Sequence, residues 1–528
     1  MTEDGLSAPA EASDTPFRRA GLWVAGAVGL HVVLGALLFE PTLFTGADAG
    51  HYMVLGESLR NGAGYRDLFL PGTPLHAKYP PGYPLLLAFL GWFGGLQLFK
   101  LASLSLTAAS VWLVFRLGCG RATTGVALMG AALFGITPVL LQFSHLVLSE
   151  SLFAFLVLLS LVLSQKSGRW WTPVLVAACA FLTRTAGLPL LLAFAIGAAL
   201  DRRGRRTAWT LAVAVFVVAA WLAWQRIVAP GQLTYIRQFL LVNPYDPGSG
   251  SIGFSGIWLR VATNLWTYAS GQLPASFGLP APRSGGVPAG TALAGLLLAS
   301  LAAAGWFRDV MRRVTPISLF TFLYLGLILL WPPVWSDRRF LLPVLPLLIL
   351  YALEAVRALV GWRSRSASAG LVSVAAVALT AAVPAMAASV RLIPDRVACQ
   401  LSYRRGFPCD LPQYASFYAM ARWAEGNTPV GSIIATRSPA TFYLYSRRRG
   451  DVYRYSRNPE VVLRGLEEMG ADYVVVDNLS VTTVLYLVPT IEAFPARFEL
   501  VHAMGEPPTL LFRLLRAQRT AARPSGEP

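Results

Sequence analysis

Long apolar runs divided by short polar punctuation fill the chain from residue 20 to residue 391. A helix that crosses a bilayer needs about 20 mostly apolar residues. Runs that meet this test, some marginally, fall at 20–40, 98–118, 122–142, 150–165, 172–184, 187–200, 208–228, 287–306, 315–333, 340–358 and 369–391. The pattern predicts a mainly α, polytopic membrane protein of about 11 spans. The apolar run at 81–97 is short, opens with Pro81, Gly82 and Pro84 and closes with glycines, so a re-entrant or surface helix is expected there. Residues 48–61 place Tyr52, Leu55, Gly56 and Leu59 on one helical face and turn Asp48, His51, Glu57 and Ser58 towards the other. That predicts a helix lying in the interface and ended by Asn61-Gly62. A second long loop, 229–286, carries a shorter amphipathic piece around 258–268.

From about residue 392 the period changes. Residues 413–425 and 459–469 read as helices, 432–435 and 473–477 as buried strands, and 498–501 with 510–514 as a closing pair. Strands alternating with helices predict a small extracytoplasmic α/β domain over 392–516. No glycine-rich phosphate fingerprint opens its helices, so it is not read as nucleotide-binding. Residues 18–391 form the expected transmembrane domain, with a catalytic outer loop at 41–97. Residues 1–17 and 517–528 read as disordered tails.

Composition supports the membrane reading, with 55% hydrophobic and only 13% charged residues where a soluble domain carries about 25% charged. The net charge of +17 does not indicate nucleic acid, because the basic residues sit in short clusters between apolar runs. With 81–97 not crossing, those clusters (116–121, 166–169, 202–206, 308–313, 357–365) fall on one side, and the short outer connections hold only Arg184, Arg338 and Arg339. This positive-inside bias places the N-terminus in the cytoplasm and the C-terminal domain outside. The run 21–39 reads as a retained anchor. The four cysteines lack metal-ligand spacing. Cys399 and Cys409 are the outer pair, ten residues apart, and either a disulfide or two free thiols is compatible with that spacing.

Candidate chemistry gathers on the outer side. Asp48 follows the first span, where it serves equally as a helix N-cap or as a reactive carboxylate. Glu150 opens a span with apolar sequence on both sides, and an acid at such depth usually faces a polar cavity. Glu354, by contrast, has Arg357 three residues on and reads as a structural pair. Lys78 lies in His-Ala-Lys-Tyr-Pro-Pro-Gly-Tyr-Pro, with His76 and Tyr79 beside it, and His51 and Tyr52 follow Asp48. Arg184, Arg338 and Arg339 are cations suited to phosphate. Carboxylates and phosphate-suited cations facing outwards, where nucleotide-activated substrates are absent, point to group transfer from a lipid phosphate. A base would deprotonate the acceptor, cations would stabilise the leaving phosphate, and one carboxylate as base fits an inverting displacement.

These residues resemble the integral-membrane glycosyltransferases of the GT-C superfamily, which use polyprenyl-phosphate sugars. The likeness is to the branch of aminoarabinose transferase and protein O-mannosyltransferases (family 39 type). It rests on Asp48 in Asp-Ala-Gly-His-Tyr, on Lys-Tyr-Pro-Pro-Gly-Tyr-Pro, on Leu-Ser-Glu-Ser-Leu-Phe at 148–153, on Thr-Arg-Thr at 183–185, and on Asp-Arg-Arg-Phe-Leu-Leu-Pro-Val-Leu-Pro at 337–346. The resemblance implies a GT-C fold in a bacterial inner membrane. It makes Asp48 the catalytic carboxylate and Glu150 the second acidic position. Lys78 would bind donor phosphate with Arg338 or Arg339 and Arg184, and His51, Tyr52, His76 and Tyr79 would line the substrate pocket. Ala49 and Ala77 stand where relatives carry acidic residues, which leaves open the acceptor (lipid, protein or glycan) and any divalent cation (Mg or Mn). A lipid-linked sugar flippase and a non-catalytic glycolipid-binding assembly factor are the alternatives; transporters commonly show internal repeats, and none is evident here.

Overall fold

The computed structural model describes residues 15–43, 47–166, 168–229, 235–281, 286–364, 366–406 and 409–516. The expected tails therefore lie outside the described residues, apart from 15–17. The chain begins with ten helices: α1 Thr15–Leu37, α2 Ala47–Arg60, α3 Gly82–Leu90, α4 Leu96–Cys119, α5 Thr124–Gly135, α6 Pro138–Phe143, α7 Ser149–Ser164, α8 Thr172–Thr183, α9 Leu188–Leu200 and α10 Gly204–Val228. Helices Ala289–Arg312, Pro316–Leu329, Leu345–Ser364 and Ala367–Arg404 follow. Among the described residues, six helices are long and apolar enough to cross a membrane: Ala20–Leu37 within α1, α4, α10, Ala289–Arg312, Leu345–Ser364 and Ser368–Arg404. Shorter apolar helices occupy the other expected spans.

The short helices matter for the site. At about 1.5 Å per residue a 12-residue helix covers roughly 18 Å, well short of a ~30 Å hydrocarbon core. The α8–α9 hairpin thus turns at Arg184 before traversing the full thickness, and the break between α6 and α7 similarly delivers Ser149 and Glu150. Irregular backbone at such depth persists only where protein or a polar cavity surrounds it. Elsewhere close packing depends on small residues. A Cβ at Gly305 would fall 2.0 Å from the Tyr351 carbonyl, so glycine there lets helices Ala289–Arg312 and Leu345–Ser364 touch.

Two expectations change. The interfacial segment α2 is not a surface helix with one wet face: Ala49, Val54, Leu55 and Ser58 are all buried, because α2 lies between α3 and a helix of the C-terminal region, Pro439–Ser446. Gly50 makes that contact close, since a Cβ there would meet Thr441 Oγ1 at 2.4 Å. Amphipathicity identified the helix but not the second partner that covers its polar side. The expected boundary at 392 also falls inside a helix. Ala367–Arg404 continues through Pro384 and Pro394, and its extension is tied down by Arg396, whose Nη1 is 2.9 Å from Glu40.

The C-terminal region carries helices Pro412–Asn427, Pro439–Ser446 and Pro459–Met469 and four strands, β1 Ile434–Ala435, β2 Tyr473–Val476, β3 Phe498–Met504 and β4 Thr509–Leu514. Sheet order is β1-β2-β4-β3, with β1 and β2 parallel and the other pairs antiparallel. Just before β1, Ile433 bridges to Arg449 on one side while its carbonyl accepts the Asp472 and Tyr473 amides on the other. Cys399 and Cys409 form a disulfide, with Cα atoms 5.2 Å apart.

Candidate functional site

Asp48 sits in the first turn of α2, where the helix dipole favours an acid, and the helix stops at Gly62, whose φ of +72° suits glycine. The following loop is built rather than loose. His76 Nδ1 donates to the Asp67 carboxylate (2.9 Å), and its Nε2 accepts from the Tyr79 amide (2.7 Å). Trp224 and Gln225, at the end of α10, hold the loop by donating to the carbonyls of His76 and Ala77, each at 2.8 Å. This fixes Tyr79, whose hydroxyl donates to Asp48 Oδ1 at 2.8 Å.

Three distant segments bring the remaining charges to Asp48. Glu150, in the first turn of α7, is buried, and Arg184 Nη1 lies 2.8 Å from its Oε1. Arg184 also donates to Ser149 Oγ (2.9 Å), which bonds the Tyr52 hydroxyl (3.1 Å). Arg339 arrives on a 3₁₀ turn, Arg338–Leu341, capped by Asp337, which accepts from the Arg339 amide. Its Nη1 lies 3.5 Å from Asp48 Oδ2 and 3.9 Å from Glu150 Oε1, between the two carboxylates. Despite these charges, neither Glu150 oxygen meets a donor at hydrogen-bonding angle, and the buried Arg339 Nε has no partner. Lys78 is exposed at the rim, its ammonium 5.0 Å from the Tyr79 ring centre.

Protein surrounds Asp48 densely, yet 38% of its side-chain surface reaches solvent, so it lies in an open recess. Burial alone would raise its pKa. Lys78 and Arg339, then the Tyr79 hydroxyl and His51, outweigh that and hold the carboxyl below its ordinary value. The recess thus keeps an ionised, half-open carboxylate beside cations.

The structure therefore brings together Asp48, Glu150, Arg184, Arg339 and, at the rim, Lys78. It separates Arg338, whose Nη2 donates to Gln142 at 2.7 Å. His51 lies edge-on to Phe69 and Tyr79, and Tyr52 packs against Tyr79 and Tyr83. His76, expected in the substrate pocket, is instead buried with both ring nitrogens engaged, and acts through Tyr79. Asp67, Trp224 and Gln225 were not anticipated, since no motif marks a loop-anchoring polar residue, and Ser149 lay within the 148–153 motif without an expected role. Glu354 pairs with Arg357 as expected.

The carboxylate pair does not fit a divalent cation. The Arg339 guanidinium occupies the space between them, and Arg184 neutralises Glu150 from the other side. Among the described residues no three His, Cys, Asp or Glu side chains gather as ligands.

Fold and recess together define a bundle of apolar helices with a charged site at one end and a small strand-bearing C-terminal region. No family profile matches the chain, and no curated protein does. Among solved structures, ArnT from Cupriavidus metallidurans in the apo state superposes with a TM-score of 0.55 at 13% identity, covering 94% of this chain and 98% of that one. The same protein bound to undecaprenyl phosphate gives 0.52 at 16% identity, covering 96% and 99%. The oligosaccharyltransferase of Archaeoglobus fulgidus, tethered to an acceptor peptide, gives 0.55 at 14% identity over 94% of this chain and 74% of that one. At these identities the likeness is one of fold, and it is the fold that the sequence motifs led us to expect.

Proposed function

We propose that the chain is a glycosyltransferase that moves a sugar from a polyprenyl-phosphate donor to an acceptor hydroxyl at the extracytoplasmic face of a bacterial plasma membrane, with inversion. The observation that carries this reading is the recess itself. Residues 48, 78, 150, 184 and 339 come from five separate segments and meet at one end of the helix bundle. The ArnT and oligosaccharyltransferase structures, with undecaprenyl phosphate in one and an acceptor peptide in the other, support the same class of chemistry.

In the proposed step Asp48 takes the proton from the acceptor hydroxyl as its oxygen attacks the anomeric carbon. The bond from that carbon to the phosphate oxygen breaks, and the polyprenyl phosphate leaves with the electron pair. Lys78, Arg339 and Arg184 offset its charge, so no acid is required. Glu150 orients Arg184 and Arg339 through Oε1 and keeps Oε2 for the acceptor. Arg339 between the carboxylates supplies the positive charge that a divalent cation would, so the reaction proceeds without one. The bundle through helix Ala367–Arg404 holds this site, and the region from helix Pro412–Asn427 to residue 516 forms the outer domain. The Cys399–Cys409 disulfide needs an oxidising compartment, which supports an outer C-terminal domain and a cytoplasmic N-terminus.

The test is mass spectrometry of lipid and glycan extracts from cells with the gene, without it, and with Asp48→Asn. Loss of one defined sugar in both altered strains, with the variant still inserted, is expected. Unchanged glycans in the Asp48→Asn strain would overturn the proposal.

A further inference from the structure

At the carboxyl ends of the two parallel strands, a second cluster faces the membrane domain. Arg437 follows β1 and Asp477 follows β2, the end of a parallel sheet where α/β folds place their ligands. Asp477 is almost fully buried. Its Oδ1 accepts from the Leu479 amide (3.0 Å) and Thr483 hydroxyl (3.3 Å), and its Oδ2 has no well-aligned donor. The Arg437 guanidinium lies over the Tyr455 ring, 5.8 Å from its centre, and its buried Nε has no partner.

An aromatic ledge runs outward from this point. Tyr455 stacks on Tyr486 with centres 5.4 Å apart. The Tyr486 hydroxyl donates to the carbonyl of Tyr245 in the second long loop (3.1 Å). Tyr245 meets Trp335 edge-on, with centres 6.2 Å apart. Trp335 lies four residues before Arg339, so the ledge joins the outer domain to the turn that carries a central charge of the recess. Neither the sequence motifs nor the proposed chemistry uses any of these residues.

We infer that this ledge binds the acceptor, and that the acceptor is a carbohydrate. The inference rests on the glycosyltransferase reading above. Flat aromatic faces suit the apolar C–H faces of sugar rings, while a planar guanidinium supplies directed polar contacts that fix orientation. A glycan also offers a row of hydroxyls, the nucleophile Asp48 needs. Arg437, Tyr455 and Trp335 thereby become the specificity-determining residues, and Asp477 positions the Arg437 turn.

The experiment applies the full-length protein in detergent to a printed array of neutral and acidic oligosaccharides, with unglycosylated peptides and phosphatidylglycerol vesicles as comparison probes. Wild type should retain at least one carbohydrate class at least tenfold above both comparisons. Tyr455→Ala and Arg437→Gln should lower that signal tenfold or more, and Tyr455→Phe, which keeps the ring, should preserve it. Each variant's Tm separates lost binding from lost folding. Retention of no glycan by wild type, an unchanged signal in Tyr455→Ala, or preference for peptide or vesicle would each overturn the inference. Asp48→Asn should bind glycan as wild type does. Normal binding together with unaltered cellular glycans in that variant would sink the transferase reading and leave the glycan site intact.

Discussion

Two charged clusters lie at the same end of the helix bundle, and they are built in opposite ways. In the first, Lys100 is fully buried and donates to the main-chain carbonyls of Glu40 and Thr42, both at 2.5 Å, while Arg396 reaches the Glu40 carboxylate. Gln400 adds a donor to the Phe39 carbonyl at 2.8 Å. This cluster ties down the chain end of α1 and is closed off from solvent, so that Glu40 Oε2 and Thr42 Oγ1, which also lack an aligned partner, are out of a substrate's reach. In the second, Asp48 opens to water, Glu150 lacks an aligned donor, and Arg339 Nε is unmatched. The difference teaches that a charge at a membrane boundary does not indicate chemistry by itself. Capacity left uncommitted, in a recess a substrate can enter, does.

The comparison breaks most sharply by exchanging which property is lost. Asp48→Asn is expected to lower transfer by about 10²–10⁴-fold, the range for losing a general base, with Tm unchanged. Lys100→Met should do the reverse: it leaves Glu40 short of a buried partner and costs ~3–5 kcal/mol of stability, while transfer per folded molecule stays near wild type. Thermal denaturation and an in vitro transfer assay on both variants decide this. Equal loss of activity at Lys100 and at Asp48 would erase the distinction between the clusters.

Arg339 sharpens the same comparison from the side of the cation. Arg339→Gln leaves two carboxylates facing each other and removes a proposed phosphate ligand, so transfer should fall roughly 10²–10³-fold, as for loss of a preorganised donor. Arg339→Lys should recover only part, since the planar fork is gone. Wild type should keep its rate in excess EDTA. Inactivation by EDTA, reversed by Mn or Mg, would show that a metal and not this guanidinium balances the pair.

A smaller effect is expected at Tyr79, which bonds the carboxylate without touching it covalently. Its hydroxyl stabilises the ionised form of Asp48, and with Lys78 and Arg339 it keeps that carboxyl below its usual pKa. The acid limb of the rate profile should therefore lie below the ordinary carboxylate range. In Tyr79→Phe the limb should move to higher pH, with a rate loss of about tenfold at neutral pH. A limb that stays in place would mean that Tyr79 only supports the loop.

Much of this was legible in the chain. Helix periodicity located most apolar elements, because each must bury one stripe or cross a bilayer. Asp48, Lys78, Glu150 and Arg184 stood out because charge between apolar runs is costly. Other features could not be read. Arg338 and Arg339 are chemically identical in sequence, and only the 3₁₀ turn capped by Asp337 sends one to the carboxylates and the other to Gln142. His76 reads as a pocket residue until Asp67, nine positions earlier, claims its ring. The second partner of α2 comes from helix Pro439–Ser446, hundreds of residues away, and periodicity carries no information about it.

The smallest test concerns a third buried carboxylate, which neither cluster contains. Burial first, against bonds from the Leu479 amide and Thr483, pushes Asp477 up to about 6 from an ordinary 3.8. A folded-state pKa raised above the unfolded value means that the folded protein holds the proton more tightly. Stability from this group is then greatest below the unfolded pKa and is lost as pH climbs through the window between the two values. Asp477→Asn mimics the protonated form at every pH and can keep accepting through its carbonyl oxygen. The variant's Tm relative to wild type should rise between pH 4 and pH 7, by an amount worth at most ~3 kcal/mol, and then level off. A difference that does not change with pH would mean Asp477 keeps its ordinary pKa, its charge met by Arg437, which would make that arginine a structural partner and not a free hand for ligand.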